Sequence, residues 1–72
     1  MKSIYNTQNM TLLISQSNFK YSLLKDEATK TYYIKRLKDS KVAVLGDRDM
    51  AEEMILFGIE ANKEELSTLK FQ

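Results

Sequence analysis

From Leu12 to Leu45 the apolar positions come in short runs separated by polar clusters, and from Met50 onward they recur three and four residues apart. The first pattern belongs to strands and the second to helices. Phe19, Tyr21 and Leu23 alternate with Lys20 and Ser22, the period of two expected of a strand with one buried face. Thr31 to Leu37 is rich in the β-formers Thr31, Tyr32, Tyr33 and Ile34; Val42 to Leu45 is an apolar run of strand length, and Leu12, Leu13 and Ile14 make a fourth candidate. The clusters between them, Gln16-Ser17-Asn18, Asp26-Glu27-Ala28-Thr29 and Asp39-Ser40, have the size and composition of hairpin loops. A helical stripe through Leu24, Ala28, Tyr33, Ile34 and Leu37 competes with this reading, since no proline or glycine interrupts residues 1–45.

Gly46 closes the strand region. Asp49 with Glu52 three residues on fits a capping-box variant, with Asp47 as the alternative N-cap. Met50, Met54, Phe57 and Ala61 follow one face, widened by Ala51 and Ile55; the stripe reads as core against the sheet, or alternatively as an adaptable partner-binding groove. Gly58 before Ile59 reads as a helix stop, glycine taking the left-handed position and Ile59 folding back on Met54. Asn62 with Glu65 offers a second capping box, and Leu66 and Leu69 then give a short amphipathic helix. One helix continuing through Gly58 is the alternative, costing about 1 kcal/mol relative to alanine there. The expected fold is α+β: a small antiparallel sheet of three or four strands, at about 10–45, covered on one face by two C-terminal helices at about 48–58 and 63–70.

Length makes residues 1–72 a single domain, one that buries only about 60 to 65% of the surface its unfolded chain exposes. Without cysteine or histidine, neither a disulfide nor a metal site of those ligands supplements so thin a core, and a homodimer is expected. The 43% hydrophobic and 29% charged content belongs to chains that fold. The longest apolar cluster, Met54 to Ile59, is far short of the roughly 20 residues of a membrane span. Lys2 precedes a polar stretch and not the apolar run of a secretory signal, so a cytoplasmic location is expected; Asn9-Met10-Thr11 fits the glycosylation triplet, which matters only in secreted chains. The lysine-heavy, Asn- and Ile-rich usage points to an AT-rich bacterial or phage genome.

The net charge of +1 conceals an asymmetry. Residues 1–46 hold eight basic and three acidic groups, and residues 47–72 hold three basic and seven acidic. In the first half Lys30, Lys35, Arg36, Lys38 and Lys41 crowd around Tyr32 and Tyr33, a mixture suited to phosphates and unpaired bases. In a strand, however, Tyr33, Lys35 and Leu37 point one way and Tyr32, Ile34 and Arg36 the other, which splits the cations between two faces. Phe57-Gly58-Ile59 resembles the corner of a helix-turn-helix, but Glu60, Glu64 and Glu65 stand where a recognition helix meets phosphates.

Absent histidine and cysteine, general acid–base chemistry near neutral pH, thiol nucleophiles and tight zinc sites lose their usual residues. Glu52-Glu53 and Glu64-Glu65 are sequence neighbours on helices and point about 100° apart, so they do not flank a bond as paired catalytic carboxylates do. Asp47 and Asp49 with Glu52 or Glu53 lack the spaced ligands of a calcium loop. No catalytic residue, metal or cofactor is expected. The function expected is that of a non-catalytic binding protein, an adaptor or an inhibitor of a larger enzyme such as one that handles nucleic acid. Its partner would meet the acidic helical face of Asp47, Asp49, Glu52, Glu53, Glu60, Glu64 and Glu65. The alternative is a small nucleic-acid-binding protein using Lys30, Tyr32, Lys35, Arg36, Lys38 and Lys41.

Overall fold

The β-branched and aromatic residues of the first half pair as a meander. The computed structural model describes residues 7–16 and 21–72, the side chains of Gln16, Glu60 and Ala61 excepted. Strands β1 (Thr11–Gln16), β2 (Tyr21–Asp26), β3 (Thr31–Arg36) and β4 (Lys41–Leu45) form one antiparallel sheet in the order β1-β2-β3-β4. The residues of the competing helical stripe thus lie in β2, β3 and their turns. Tyr21 and Leu23 do share one face, but β2 is buried on both faces and not on one, since Ser22 and Leu24 are buried beside Leu23; Phe19, Lys20 and the loop residues Ser17 and Asn18 lie outside the described residues.

Register decides which side chains meet. Leu23 lies opposite Ile34 and Ile34 opposite Ala43, while Tyr32 lies opposite Leu45. On β1, Leu12 pairs with Leu24 and Ile14 with Leu23, so Leu13 is the extra residue of a bulge that turns Ile14 toward the helix-covered face. On the opposite face Ser22, Leu24 and Val42 are buried as well, between the exposed Leu12 and Val44.

Both described hairpins close through four-residue turns, Glu27-Ala28-Thr29-Lys30 and Leu37-Lys38-Asp39-Ser40. The fourth residue of each is left-handed, Lys30 at φ 58° and Ser40 at φ 59°, a conformation that carries a steric cost for a side chain. Carboxylates hold the turns. The Asp26 Oδ1 accepts the Ala28 N–H (3.0 Å), and the Asp39 Oδ1 accepts the Lys41 N–H (3.2 Å).

Helix α1 (Arg48–Phe57), a 3-10 turn (Ile59–Asn62) and the single-turn α2 (Lys63–Leu66) cover one face of the sheet. Leu23, Ile34 and Leu45 from the sheet form one buried cluster with Ala51, Met54, Ile59 and Leu66. Burying such a leucine or isoleucine side chain stabilises by about 1.5–3 kcal/mol. Among the described residues no helix is long and apolar enough to cross a membrane.

Helix boundaries depart from expectation in informative ways. The N-cap of α1 is Asp47, whose Oδ1 accepts the N–H groups of Asp49 (2.9 Å) and Met50 (3.4 Å); Asp49 instead sits in the first turn, where its charge suits the helix dipole. The helix does stop at Gly58, but at φ 92°, ψ 160°, an extended glycine conformation and not the left-handed helical one. Its N–H donates to the Met54 carbonyl (2.8 Å). The capping box expected of Asn62 and Glu65 does not form: Asn62 begins α2 with no side-chain cap bond, and its buried Nδ2 has no hydrogen-bond partner. The second helix ends at Leu66, not near residue 70. Ser67 Oγ donates to the Glu64 carbonyl and Thr68 Oγ1 to the Glu65 carbonyl, both at 2.7 Å, and the backbone changes there to three-residue bonds, Thr68 N–H to the Glu65 carbonyl (3.1 Å) and Leu69 N–H to the Leu66 carbonyl (3.2 Å).

Candidate functional site

Ten helical residues of α1 can bury only one stripe, and here that stripe is Ala51 and Met54, with Met50 half-buried beside them. Phe57, expected in the core, is 73% exposed, and Ile55, expected to widen the stripe, is 48% exposed. Leu56 is exposed further still, at 75%. For Ile55 and Leu56 the reason is angular. Rotation of about 100° per residue turns them to about 100° and 200° from Met54, away from the sheet, whereas Phe57 comes back to within about 60° of Met54 and is exposed as the last helical residue before Gly58.

The same rotation places acids beside them. Asp49, Glu52, Glu53 and Leu56 lie within about 100° of arc on the side of α1 turned away from Met54, and Phe57 is exposed at the flank of that side where the helix ends, so the surface is acidic toward its start and apolar toward its end. Glu52 pairs with Arg48 (3.4 Å), a solvent-exposed contact worth at most about 1 kcal/mol. Glu53, Glu64 and Glu65 are exposed, the last two in the first turn of α2. Asp47 belongs to the group by sequence but its carboxylate is engaged as the N-cap. Glu60 falls within the 3-10 turn, and its side chain is outside the described ones. No basic residue occupies the last turn of α1, which leaves its carbonyl end without a cationic side chain from that turn.

The basic residues are dispersed by the sheet. Arg36 lies on the helix-covered face, where Nε and Nη2 donate to Asp39 Oδ1 (3.0 Å) and Oδ2 (2.7 Å), and its guanidinium stacks on Phe71, 4.5 Å from the ring centroid. The fork on Asp39 raises the Arg36 pKa; reciprocally, the Arg36 hydrogen bonds, with the Lys41 N–H, hold the Asp39 carboxyl down at about 2. Tyr32 packs against the core with Lys25 Nζ over its ring at 5.4 Å. Lys35 is opposite Val42 on the other face, Lys30 in its turn lies 3.9 Å from Glu27, Lys38 is exposed in the second turn, and Lys41 opens β4.

Phe57, expected in the core, and Leu56, which the helical stripe did not include, are thus the exposed apolar residues of α1 beside its acids. The signal for such exposure was present, because three consecutive apolar residues at the end of a short helix cannot all face one sheet. Among the described residues no group of three or more His, Cys, Asp or Glu is placed to hold a metal ion. No known family model, characterised protein or solved structure matches this chain.

Proposed function

We propose that this chain is a non-catalytic binding protein that meets a protein partner through the outward side of α1, as an adaptor or as an inhibitor of a larger enzyme. One observation carries the reading: Leu56 and Phe57 stand 75% and 73% exposed at the end of a helix whose preceding outward residues are carboxylates. Single exposed apolar residues are ordinary, but a contiguous leucine and phenylalanine beside charged groups has the composition of a binding patch, an apolar anchor with a polar rim. Aromatic anchors contribute most of the energy of such contacts, and the rim charges govern partner choice and association rate. The homodimer expected from the thin core is proposed on a separate ground, since so small a core gains from association.

The nucleic-acid reading draws less support from the arrangement of the cations. Arg36 is neutralised by Asp39 and covered by Phe71, and Lys35 faces away from it.

The test is capture of partners from the native host by the full chain and two variants. Glu52→Lys with Glu53→Lys should lose what the parent retains, and Lys35→Glu with Lys38→Glu should keep it. The second pair spares Arg36, whose replacement would disturb the fold. Sub-micromolar binding of single-stranded RNA or DNA at physiological salt, lost in the lysine variant, would overturn the proposal in favour of the alternative.

A further inference from the structure

We infer that the partner of α1 presents a cationic amphipathic helix, an apolar residue followed along one face by lysine or arginine. This rests on the proposed function above and adds the chemistry of the partner to it. Three features of the surface converge on that occupant. Leu56 and Phe57 ask for an apolar side chain, since nothing polar on α1 lies between them. Asp49, Glu52 and Glu53 follow toward the helix start, one and two turns back, so the complementary charges on the partner are positive and lie about 5 to 10 Å from its anchor.

The end of α1 adds the third. Its last turn has no basic residue, so the negative end of the helix dipole adds to the charge of the acids. A cationic residue flanking the partner's anchor meets favourable potential on both sides. Arg48 is the sole basic residue of α1, and it sits at the far end, paired with Glu52. An extended anionic ligand is repelled by the same arrangement, and a neutral apolar one gains nothing from the rim.

A helix suits the geometry better than a strand. Asp49, Glu52, Glu53 and Leu56 repeat at three- and four-residue steps along one side of α1, with Phe57 exposed at its flank, and a second helix packed alongside presents its own residues at the same interval. Running antiparallel to α1, it would place its anchor at Leu56 and Phe57 and its next one or two turns at Glu53, Glu52 and Asp49. Its sequence signature is therefore an apolar residue with lysine or arginine three or four and seven residues further on.

The experiment uses the full chain and two fluorescent helix-forming peptides of one length. One has leucine anchors with lysine at the succeeding positions, and the other has glutamate in place of each lysine. Fluorescence anisotropy is read at low and at physiological salt. The lysine peptide should bind at least tenfold more tightly than the glutamate peptide, and more weakly as salt rises. Phe57→Ser with Leu56→Ser should weaken it about tenfold, and Glu52→Lys with Glu53→Lys should invert the preference toward the glutamate peptide. All four positions are exposed, and circular dichroism confirms that the variants fold.

Equal binding of both peptides, or binding of the lysine peptide unchanged in the serine variant, would overturn the inference. So would sedimentation showing a parent dimer dispersed by the lysine pair, because the occupant would then be a second copy. If neither peptide binds while capture from the host still depends on Glu52 and Glu53, the partner chemistry is wrong and the surface assignment survives. If that capture is indifferent to Glu52 and Glu53, the proposed function itself fails.

Discussion

Gln72 exchanges two backbone hydrogen bonds with Val42: its N–H donates to the Val42 carbonyl (2.9 Å) and its carbonyl accepts the Val42 N–H (3.1 Å). Reciprocal bonds of this kind define a hydrogen-bonded antiparallel pair, so the chain after α2 returns to the outer edge of β4. That return fixes Phe71 over the sheet, where its ring lies 6.0 Å from Tyr21 and under the Arg36 guanidinium. An edge strand with free backbone groups invites pairing with other chains, and here two of those groups are occupied.

Phe71→Ala therefore tests a tertiary contact that sits outside every regular element. Phe71 is half-buried, so the loss should be smaller than the 3–5 kcal/mol of a fully buried phenylalanine, at about 1–2 kcal/mol. Urea denaturation followed by circular dichroism reads it as a lower midpoint at unchanged slope. A change below about 0.5 kcal/mol would mean that the ring does not hold the tail to the sheet.

Two glycines should respond in opposite directions to alanine. At Gly46 an added methyl group meets nothing within 4 Å, and φ is not positive there, so Gly46→Ala should stabilise by about 0.4–1 kcal/mol through the unfolded chain. At Gly58 the backbone is at φ 92°, ψ 160°, and Gly58→Ala should cost about 1–3 kcal/mol. Thermal melts of the two variants should bracket the parent. Melting of both on the same side would contradict the backbone geometry assigned to one of them.

Much of the fold was legible because local chemistry and tertiary demand agree. Tyr21 and Leu23, two apart in a β-rich run, do meet the core on one face of the sheet, and Asp26 and Asp39 are turn residues that do hold turns. The misreadings arise where one residue type has two uses. Asp47 and Asp49 both suit a helix start, and only the extended conformation of Asp47 (φ −96°, ψ 108°) decides between them. Ser67 and Thr68 are tolerable in a helix, but their hydroxyls bond backward to Glu64 and Glu65, which disfavours further helix, and the backbone tightens to three-residue bonds there. The candidate site was legible only as charge. Periodicity assigned Phe57 to the stripe of Met50 and Met54, and its direction does fit that stripe, but as the last residue of the helix it stands 73% exposed.

That difference between neighbouring apolar residues gives a third prediction. Met54 is fully buried in the cluster with Leu23 and Ile34, and Met54→Ala should cost about 2–5 kcal/mol. Leu56→Ser and Phe57→Ser should each change stability by no more than about 0.5 kcal/mol. Chemical denaturation of the three variants separates a packed residue from an exposed one. A loss above about 2 kcal/mol at Phe57 would place it in the core and remove the anchor on which the binding surface depends.

Ser40 and Lys30 close their turns in the left-handed region, a conformation that glycine adopts without steric cost. Ser40→Gly and Lys30→Gly should each stabilise by about 0.5–1 kcal/mol, the relief of backbone strain outweighing the greater entropy of the unfolded glycine chain. Little else is lost, since the Lys30 contact with Glu27 at 3.9 Å is between exposed groups. Destabilisation at both positions would show that their side chains contribute more than their backbone costs.

Asp39 sets the expected response to acid. Its carboxyl, held by the Arg36 fork and the Lys41 N–H, titrates at about 2 in the folded chain, below the ordinary value of 3.8. In the interval between those two values the unfolded chain binds more protons at this site than the folded one, so stability rises with pH there. The contribution is fully present above the unfolded value and is lost as pH falls through the folded one. The Asp39 carboxyl carbon, followed by nuclear magnetic resonance, should therefore titrate with a midpoint near 2. Asp39→Asn, which keeps a carbonyl for the Lys41 N–H but removes the charge, should flatten the acid limb of a stability profile over that interval and lower the plateau above it. A midpoint near 4 for Asp39, or an acid limb identical in the asparagine variant, would mean that the fork between Arg36 and Asp39 does not persist in solution.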